Sequence, residues 1–328
     1  MTTSTTLLPG SAATSVGLPP SATPGGLDGR AIGVMTLLCL VWSLQQISLK
    51  SIAGQASPML MVALRSLIAL VLLAALMAYR HEVPARTRWK PGLLAGALFG
   101  LEYLLITGAL GLTQASHVVV FLYTAPIFAA LGLQVRLPAE RLGAMQWAGT
   151  GIAFLGIAVA FLGGVEVTAG PVAWRTLLGD ALALLAGAAW GATTVTIRCS
   201  SLASAPATET LMYQLLGGFF LLLPGAWLMQ QWHFDPTLEV LAHLGFQSLV
   251  MSFASVLAWC WLLRLYLASQ LGVFSFLTPL FGVMLGVWLL GESLEPQFIA
   301  GGSIVLAGVG LVSSHSLVRR QPKALTRP

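Results

Sequence analysis

The sequence predicts an all-α membrane protein: a polytopic bundle of ten transmembrane helices built from two inverted five-helix repeats. Three observations predict it. Only 8% of the 328 residues are charged and 57% are hydrophobic, with a mean hydropathy of +0.86. Soluble domains carry about 25% charged residues, so these charges are too few to coat a water-facing surface. Ten apolar runs each approach the roughly 20 residues that cross a bilayer as a helix. Motifs of the first five runs recur in the second five.

Residues 1–30 are rich in Ser, Thr, Pro and Gly and nearly free of charge, which predicts a disordered tail. No basic stretch precedes a short apolar core there, so a signal peptide is not expected. Cutting the remainder at charges, prolines and polar clusters gives spans at 32–50, 58–79, 92–111, 117–135, 145–164, 178–198, 210–229, 240–263, 270–290 and 297–314. A membrane barrel would show short alternating segments instead. The last residues, 315–328, form a basic tail. Cys39, Cys199 and Cys260 match no metal or redox spacing and read as apolar filler in helices.

Orientation follows from Lys and Arg, which accumulate on the cytoplasmic side. With a cytoplasmic N-terminus, the inner side collects Arg30, Arg80, Arg86, Arg88, Lys90, Arg136, Arg141, Arg198, Arg264, Arg319, Arg320, Lys323 and Arg327. The outer side keeps only Lys50 and Arg175, and Arg65 lies within the second span. Both termini are therefore expected in the cytoplasm of a multi-pass cell-membrane protein, the inner membrane if the source is bacterial. The net charge of +5 reflects this topology and calls for no nucleic-acid partner.

The repeat is visible in two places. "WSLQQISLK" (Trp42–Lys50) returns as "WGATTVTIR" (Trp190–Arg198), and "ASHVVVFLYTAPIF" (Ala115–Phe128) as "ASQLGVFSFLTPLF" (Ala268–Phe281). A glutamate follows each of the second pair, Glu140 and Glu292. The units are 31–164 and 178–314. Five spans is an odd number, so the second unit enters the membrane upside down. The charges agree: the linker after Pro126 carries Arg136 and Arg141, whereas "GESLEPQ" after Pro279 has no cation. Inverted repeats are a signature of secondary transporters that hold substrate near the bilayer midplane.

These residues carry a family resemblance. The sequence resembles the drug/metabolite transporter superfamily, specifically its EamA-type members with two five-helix repeats. The matching features are the Trp-then-cation ends of the first and sixth spans, Pro58 followed by Leu64-Arg65, and the "AS…AP" opening of the fourth span. To these are added "ASQ…TP…GE" in the ninth span and the Gly-rich fifth and tenth spans. The resemblance implies a ten-helix bundle around a central cavity that exports, or sometimes takes up, amino acids and other metabolites without ATP. One departure is Trp42-Ser43, where the family often has Trp-Gly, as in Trp190-Gly191.

Ionisable groups inside a bilayer are costly and usually face a cavity or a partner. Glu102 lies in the middle of the third span. Gly92, Gly96 and Gly100 form a small-residue row suited to close helix contact, and at about 100° per residue Glu102 points some 120° from its centre. Glu102 is a candidate proton-exchanging or amine-binding carboxylate; its alternatives are an ion pair with Arg65 or a hydrogen-bonded neutral acid. Arg65 and Lys50 could attract a carboxylate or another anion; alternatively Arg65 serves Glu102 or helix carbonyls, and Lys50 snorkels to the interface.

Trp42, Gln45 and Gln46 share a helical face with Leu49, and Trp190, Thr193 and Thr194 occupy the equivalent places with Ile197. They could bind a polar head group or bridge helices. Tyr103, Tyr123, Tyr213 and Phe276 could line a route or only pack. His117, Trp227 and Trp232 are expected at interfaces. Pro126 and Pro279 bend spans at matching positions, either as part of a gate or as static kinks.

The expected function is secondary export of a small metabolite, an amino acid or related amphiphile, by alternating access of the two units. Protons are a possible coupling ion, and the protein is expected as a monomer or homodimer in the lipid bilayer. Alternatives are an uptake permease, or a membrane scaffold or receptor that moves nothing. An enzyme is disfavoured because Asp28, Asp180 and Asp235 lie outside the span centres and no His cluster exists. No phosphate-binding loop for an ATP-driven pump is present, and no cofactor or metal is implied.

Overall fold

A computed structural model describes residues 28–52, 54–113, 115–162, 171–290 and 296–318. The expected tails lie almost wholly outside these residues, as do Glu292 and the side chains of Gln46, Leu49 and Lys50.

The described residues form helices α1 (Gly29–Ser51), α2 (Pro58–Tyr79), α3 (Trp89–Leu110), α4 (Ala115–Leu122), α5 (Ala125–Arg136), α6 (Ala144–Leu162) and α7 (Pro171–Arg198). They continue with α8 (Ala207–Leu228), α9 (Leu238–Phe246), α10 (Val256–Leu265), α11 (Ala268–Phe274), α12 (Leu277–Leu290) and α13 (Pro296–Val318). A π-helical stretch, Gln247–Ser255, joins α9 to α10. Among the described residues the only β pairing is an isolated antiparallel bridge between Ala56 and Phe234.

Among the described residues, eight stretches are long and apolar enough to cross a membrane: Pro58–Tyr79, Arg86–Leu110, His117–Arg136, Ala144–Leu162, Trp174–Arg198, Ala207–Leu228, Leu238–Leu265 and Ala268–Leu289. Gly29–Gln45 and Pro296–Val312 are shorter apolar helices at the two ends. Large apolar side chains such as Leu37, Val71, Leu155 and Trp288 coat the outside. That arrangement suits lipid, where only helices and closed barrels satisfy their own backbone.

Local chemistry explains the breaks. Pro58 starts α2 at a position where its missing N–H costs nothing. Pro126 and Pro279 lie just after the points where two spans divide, α4 from α5 and α11 from α12. The backbone crosses each break in tight turns: Thr124 N–H donates to the Phe121 carbonyl (3.2 Å), and Phe276 N–H to the Val273 carbonyl (3.3 Å). Helices α2 and α8 both end on a non-glycine residue in the left-handed region, His81 (φ 53°) and Gln230 (φ 58°). In each case the next amide reaches back to the last turn, Glu82 to Met77 and Gln231 to Ala226, so final carbonyls are satisfied.

Glycines set the closest helix contacts. On α3, Gly92 packs on the Tyr213 ring, Gly96 on the Tyr213 backbone, and a Cβ at Gly100 would lie 2.6 Å from the Gly217 carbonyl oxygen. The predicted glycine row therefore faces α8. Helices α6 and α13 meet reciprocally: a Cβ at Gly156 would sit 2.7 Å from the Gly301 oxygen, and one at Gly301 2.5 Å from the Gly156 oxygen. Gly149 and Gly308 repeat this one level away, at 2.9 and 2.6 Å. Only residues without a Cβ allow these backbones to approach so closely. Elsewhere α1 packs on α12, α7 on α3 and α5, and α2 on α8.

Candidate functional site

These packings leave a cavity of about 140 Å³ in the middle of the bundle. A buried water needs roughly 10–15 Å³ on this measure, so the cavity has room for several waters or a small polar solute. Its walls come from both parts of the chain. Helices α1, α2, α3 and α4 supply Trp42, Gln45, Arg65, Phe99, Glu102, Tyr103 and Ile106, with Tyr123 at the end of α4. Helices α7 and α8, the π stretch and α10 supply Trp190, Thr193, Thr194, Gln214, Ser252, Ser255 and Trp259.

Arg65 is 3% exposed, and a guanidinium so deeply buried requires partners. Its Nη1 donates to Gln247 Oε1 at 2.6 Å and its Nη2 to the Tyr103 hydroxyl at 3.0 Å. The guanidinium carbon also lies 5.2 Å from the centre of the Tyr103 ring, within cation–π range. Among the described residues its Nε has no hydrogen-bond partner. Gln247 is itself anchored, its Nε2 donating to the Gln45 carbonyl at 3.3 Å and to Ser48 Oγ at 3.2 Å. The guanidinium is thus tied through one amide to the backbone of α1.

Glu102 lines the same cavity, 8% exposed. Among the described residues it accepts no hydrogen bond, and no ion pair within 4 Å joins it to Arg65. The ion-pair alternative for Glu102 is therefore absent from this structure. Gln247 and Tyr103 hold the guanidinium instead, and the carboxyl and the guanidinium line the cavity without a direct hydrogen bond between them.

Aromatic rings complete the walls. Trp42 donates from Nε1 to Ser255 Oγ at 3.1 Å and meets Trp259 edge-on, with centroids 5.8 Å apart. Tyr123 meets Trp190 edge-on at 5.8 Å and lies 6.4 Å from Phe276. Thr193 and Thr194 donate back to the carbonyls of Ala189 (2.9 Å) and Trp190 (3.4 Å), leaving hydroxyl oxygens able to accept.

Of the sequence candidates, Trp42, Gln45, Arg65, Glu102, Tyr103, Tyr123, Trp190, Thr193 and Thr194 come together at this cavity. Tyr213 does not line it, because its ring is taken up against Gly92. The side chains of Gln46 and Lys50 lie outside the described residues. His117 is more than an interfacial residue: its Nδ1 meets Asp180 Oδ1 at 2.9 Å, and Thr113 donates to the same oxygen at 2.7 Å.

Sequence reading missed Gln247, Ser252, Ser255 and Trp259. For the last three a signal was present. Ala115 and Ala268 are 153 residues apart, and the same spacing aligns Phe99 with Ser252, Glu102 with Ser255 and Ile106 with Trp259. The polarity changes within these pairs hid the match. Gln247, which opens the π stretch, left no such trace. Such local helix expansions often mark functional sites.

Comparison with known proteins fits this architecture. The model of the EamA-like transporter family matches the chain twice, over residues 29–162 and 177–314. An uncharacterized transporter of Archaeoglobus fulgidus is 27% identical over 291 residues, covering 86% of this chain and 96% of that protein. A solved crystal structure superposes with a TM-score of 0.75 at 19% identity, covering 90% of this chain and all of that one, which is likeness of fold alone. A bundle of apolar helices around a polar cavity, matched twice by one family model, places the protein among multi-pass membrane transporters rather than enzymes: the chain belongs to the EamA-like transporter family.

Proposed function

We propose that the protein is a secondary transporter that exports a small metabolite across the cell membrane by alternating access, with an amino acid or related amphiphile as cargo. In this reading ten spans form two units, 31–164 and 178–314, that lie upside down to each other with both termini in the cytoplasm. The central observation is the cavity: an unpaired carboxylate, a tethered guanidinium and aromatic walls enclose one small space at the middle of an apolar bundle. A zwitterion fits these groups. Its carboxylate would meet Arg65, whose Nε is unoccupied, and its amine Glu102. Trp42, Tyr123 and Trp190 would cover its apolar part, and Gln45, Thr193 and Thr194 would offer further polar contacts. Lys50, placed by sequence near the outer end of α1, would draw anions toward the route, and Gln46 would add an amide to it.

Helix pairing supports the two-unit reading. α1 packs on α12 as α7 packs on α5, while α2 with α8 and α6 with α13 pair corresponding elements. Exchange of such equivalent packings is how related halves can open to each side in turn.

The test is flux in proteoliposomes loaded with candidate amino acids, with and without a pH gradient. Wild-type protein should move at least one of them, and Glu102→Gln should change the response to pH if protons are counter-transported. Failure to move any small solute under any gradient would contradict the proposal.

A further inference from the structure

A second buried polar cluster lies away from the cavity, where the ends of α5, α7, α10 and α11 converge. At its centre is Glu140, 1% exposed, in the turn after α5. Its Oε1 accepts from Arg198 Nε (2.9 Å) and Nη2 (2.6 Å) at the end of α7. The same oxygen accepts from the Ala268 amide at 3.3 Å. Its Oε2 accepts from the Ser269 amide (3.2 Å) and hydroxyl (2.9 Å) at the start of α11. The third nitrogen of Arg198 donates to the Leu263 carbonyl of α10 at 2.5 Å. One carboxylate from the first family segment thus holds two elements of the second, α7 and α11, and Arg198 ties a third, α10, to them.

The route between this cluster and the cavity is closed. A crevice of about 10 Å³, no more than one water, lies between α5, α7, α10 and α11. It shares Trp190, Thr194 and Trp259 with the cavity and is also lined by Ala268, which bonds Glu140. Pro126 and Gly272 pinch it: a Cβ on Gly272 would lie 3.3 Å from Pro126. Both residues lie close to the break in their span. The short helix α11 is therefore pressed on α5 through Gly272 and capped at its start by Glu140.

We propose that the Glu140–Arg198–Ser269 cluster is a latch that holds the bundle shut at this end, and that its release lets α11 swing from α5 and opens the cavity there. The latch rests on the transport reading only in that a closed end must open during a cycle; it requires no particular cargo. Buried charge-assisted bonds hold a single geometry and are costly to break one at a time, as a two-position gate requires.

The test uses the thiol next to the latch. Cys199 is exposed, whereas Cys39 and Cys260 are buried, so Cys199 reports which vesicles present this end to the medium. In Cys199→Ser protein carrying Ser252→Cys as a cavity reporter, an impermeant methanethiosulfonate is added to vesicles reconstituted in the same way, and the rates are scaled to the share that Cys199 labelling shows, in protein that keeps this thiol, to present this end. Glu140→Gln should raise the rate of cavity labelling about tenfold, as expected if loss of the carboxylate charge shifts the closed–open balance by that factor. Ser269→Ala should raise it less. Glu209→Gln, which removes a charged partner of Arg88 away from the crevice, should leave it unchanged. Unchanged labelling in Glu140→Gln, or equal gains in Glu209→Gln, would overturn the latch. If Glu140→Gln does not reach the membrane, Ser269→Ala and Arg198→Lys decide in the same way. Flux of every candidate amino acid is measured in parallel: labelling that responds to Glu140 without flux would contradict the transport reading and leave the latch standing.

Discussion

The two segments matched by the family model contribute equivalent helix faces to one cavity but different chemistry. Trp42 and Trp190 are counterparts, as are Gln45 and Thr193, and Ile106 and Trp259. The charges have no such balance. Glu102 aligns with Ser255, and Arg65, by the spacing that pairs Trp42 with Trp190, aligns with Tyr213. Both charges lining the cavity belong to the first segment. The two matched segments share helix packing while their polar groups differ, which teaches that the fold tolerates asymmetry in its centre.

The sharpest way to break that comparison is to substitute its unequal members. Arg65→Ala removes two charge-assisted hydrogen bonds, each of about 1.5–3 kcal/mol, and leaves Gln247 Oε1 without its donor. Cargo flux should fall roughly 100-fold or more, as tenfold corresponds to about 1.4 kcal/mol. Tyr213→Phe, at the matching place, should keep flux within about twofold on the same scale. Comparable losses in both would erase the asymmetry.

The glycine contacts should behave in the opposite, balanced way. Gly156→Leu and Gly301→Leu each push a side chain into the facing backbone, and overpacking of this kind costs about 1–3 kcal/mol. Thermal unfolding in detergent should show similar losses for the two. A large loss for one alone would mean that the halves do not share the α6–α13 contact equally.

Smaller effects separate the other pairs. Glu102→Gln should flatten the dependence of flux on pH, while Ser255→Ala should not alter its shape; flux measured across a pH series decides. Trp42→Phe loses the 3.1 Å bond to Ser255, about 0.5–1.5 kcal/mol, and should raise the apparent KM severalfold. Trp190→Phe keeps an aromatic ring against Tyr123 and should change KM by less than about twofold.

Much of this fold was legible because bilayer physics narrows the choices. The run Pro58–Tyr79 is helical over the range its hydropathy marks, and Pro126 and Pro279 mark where two spans divide. The glycine row of α3 and the cavity-facing Glu102 followed from 100° per residue. The partner of Arg65 was not legible. An ion pair with Glu102 was one of the partners expected for Arg65, beside an incoming anion and helix carbonyls, yet a neutral amide 182 positions away and the Tyr103 hydroxyl hold the guanidinium. That amide opens a π stretch, Gln247–Ser255, whose wider turn leaves no mark in periodicity. The cluster around Glu140 was equally hidden. The sequence shows a glutamate after a span and an arginine ending another, but not that one carboxylate would cap α11.

The most direct test is counterflow in proteoliposomes preloaded with an unlabelled amino acid that wild-type protein moves. Wild-type protein should transiently accumulate the labelled form, and Arg65→Ala and Glu102→Gln should each abolish or strongly reduce that accumulation while remaining folded in the membrane. Accumulation at the wild-type level in both variants would mean that cargo does not pass the cavity between Arg65 and Glu102.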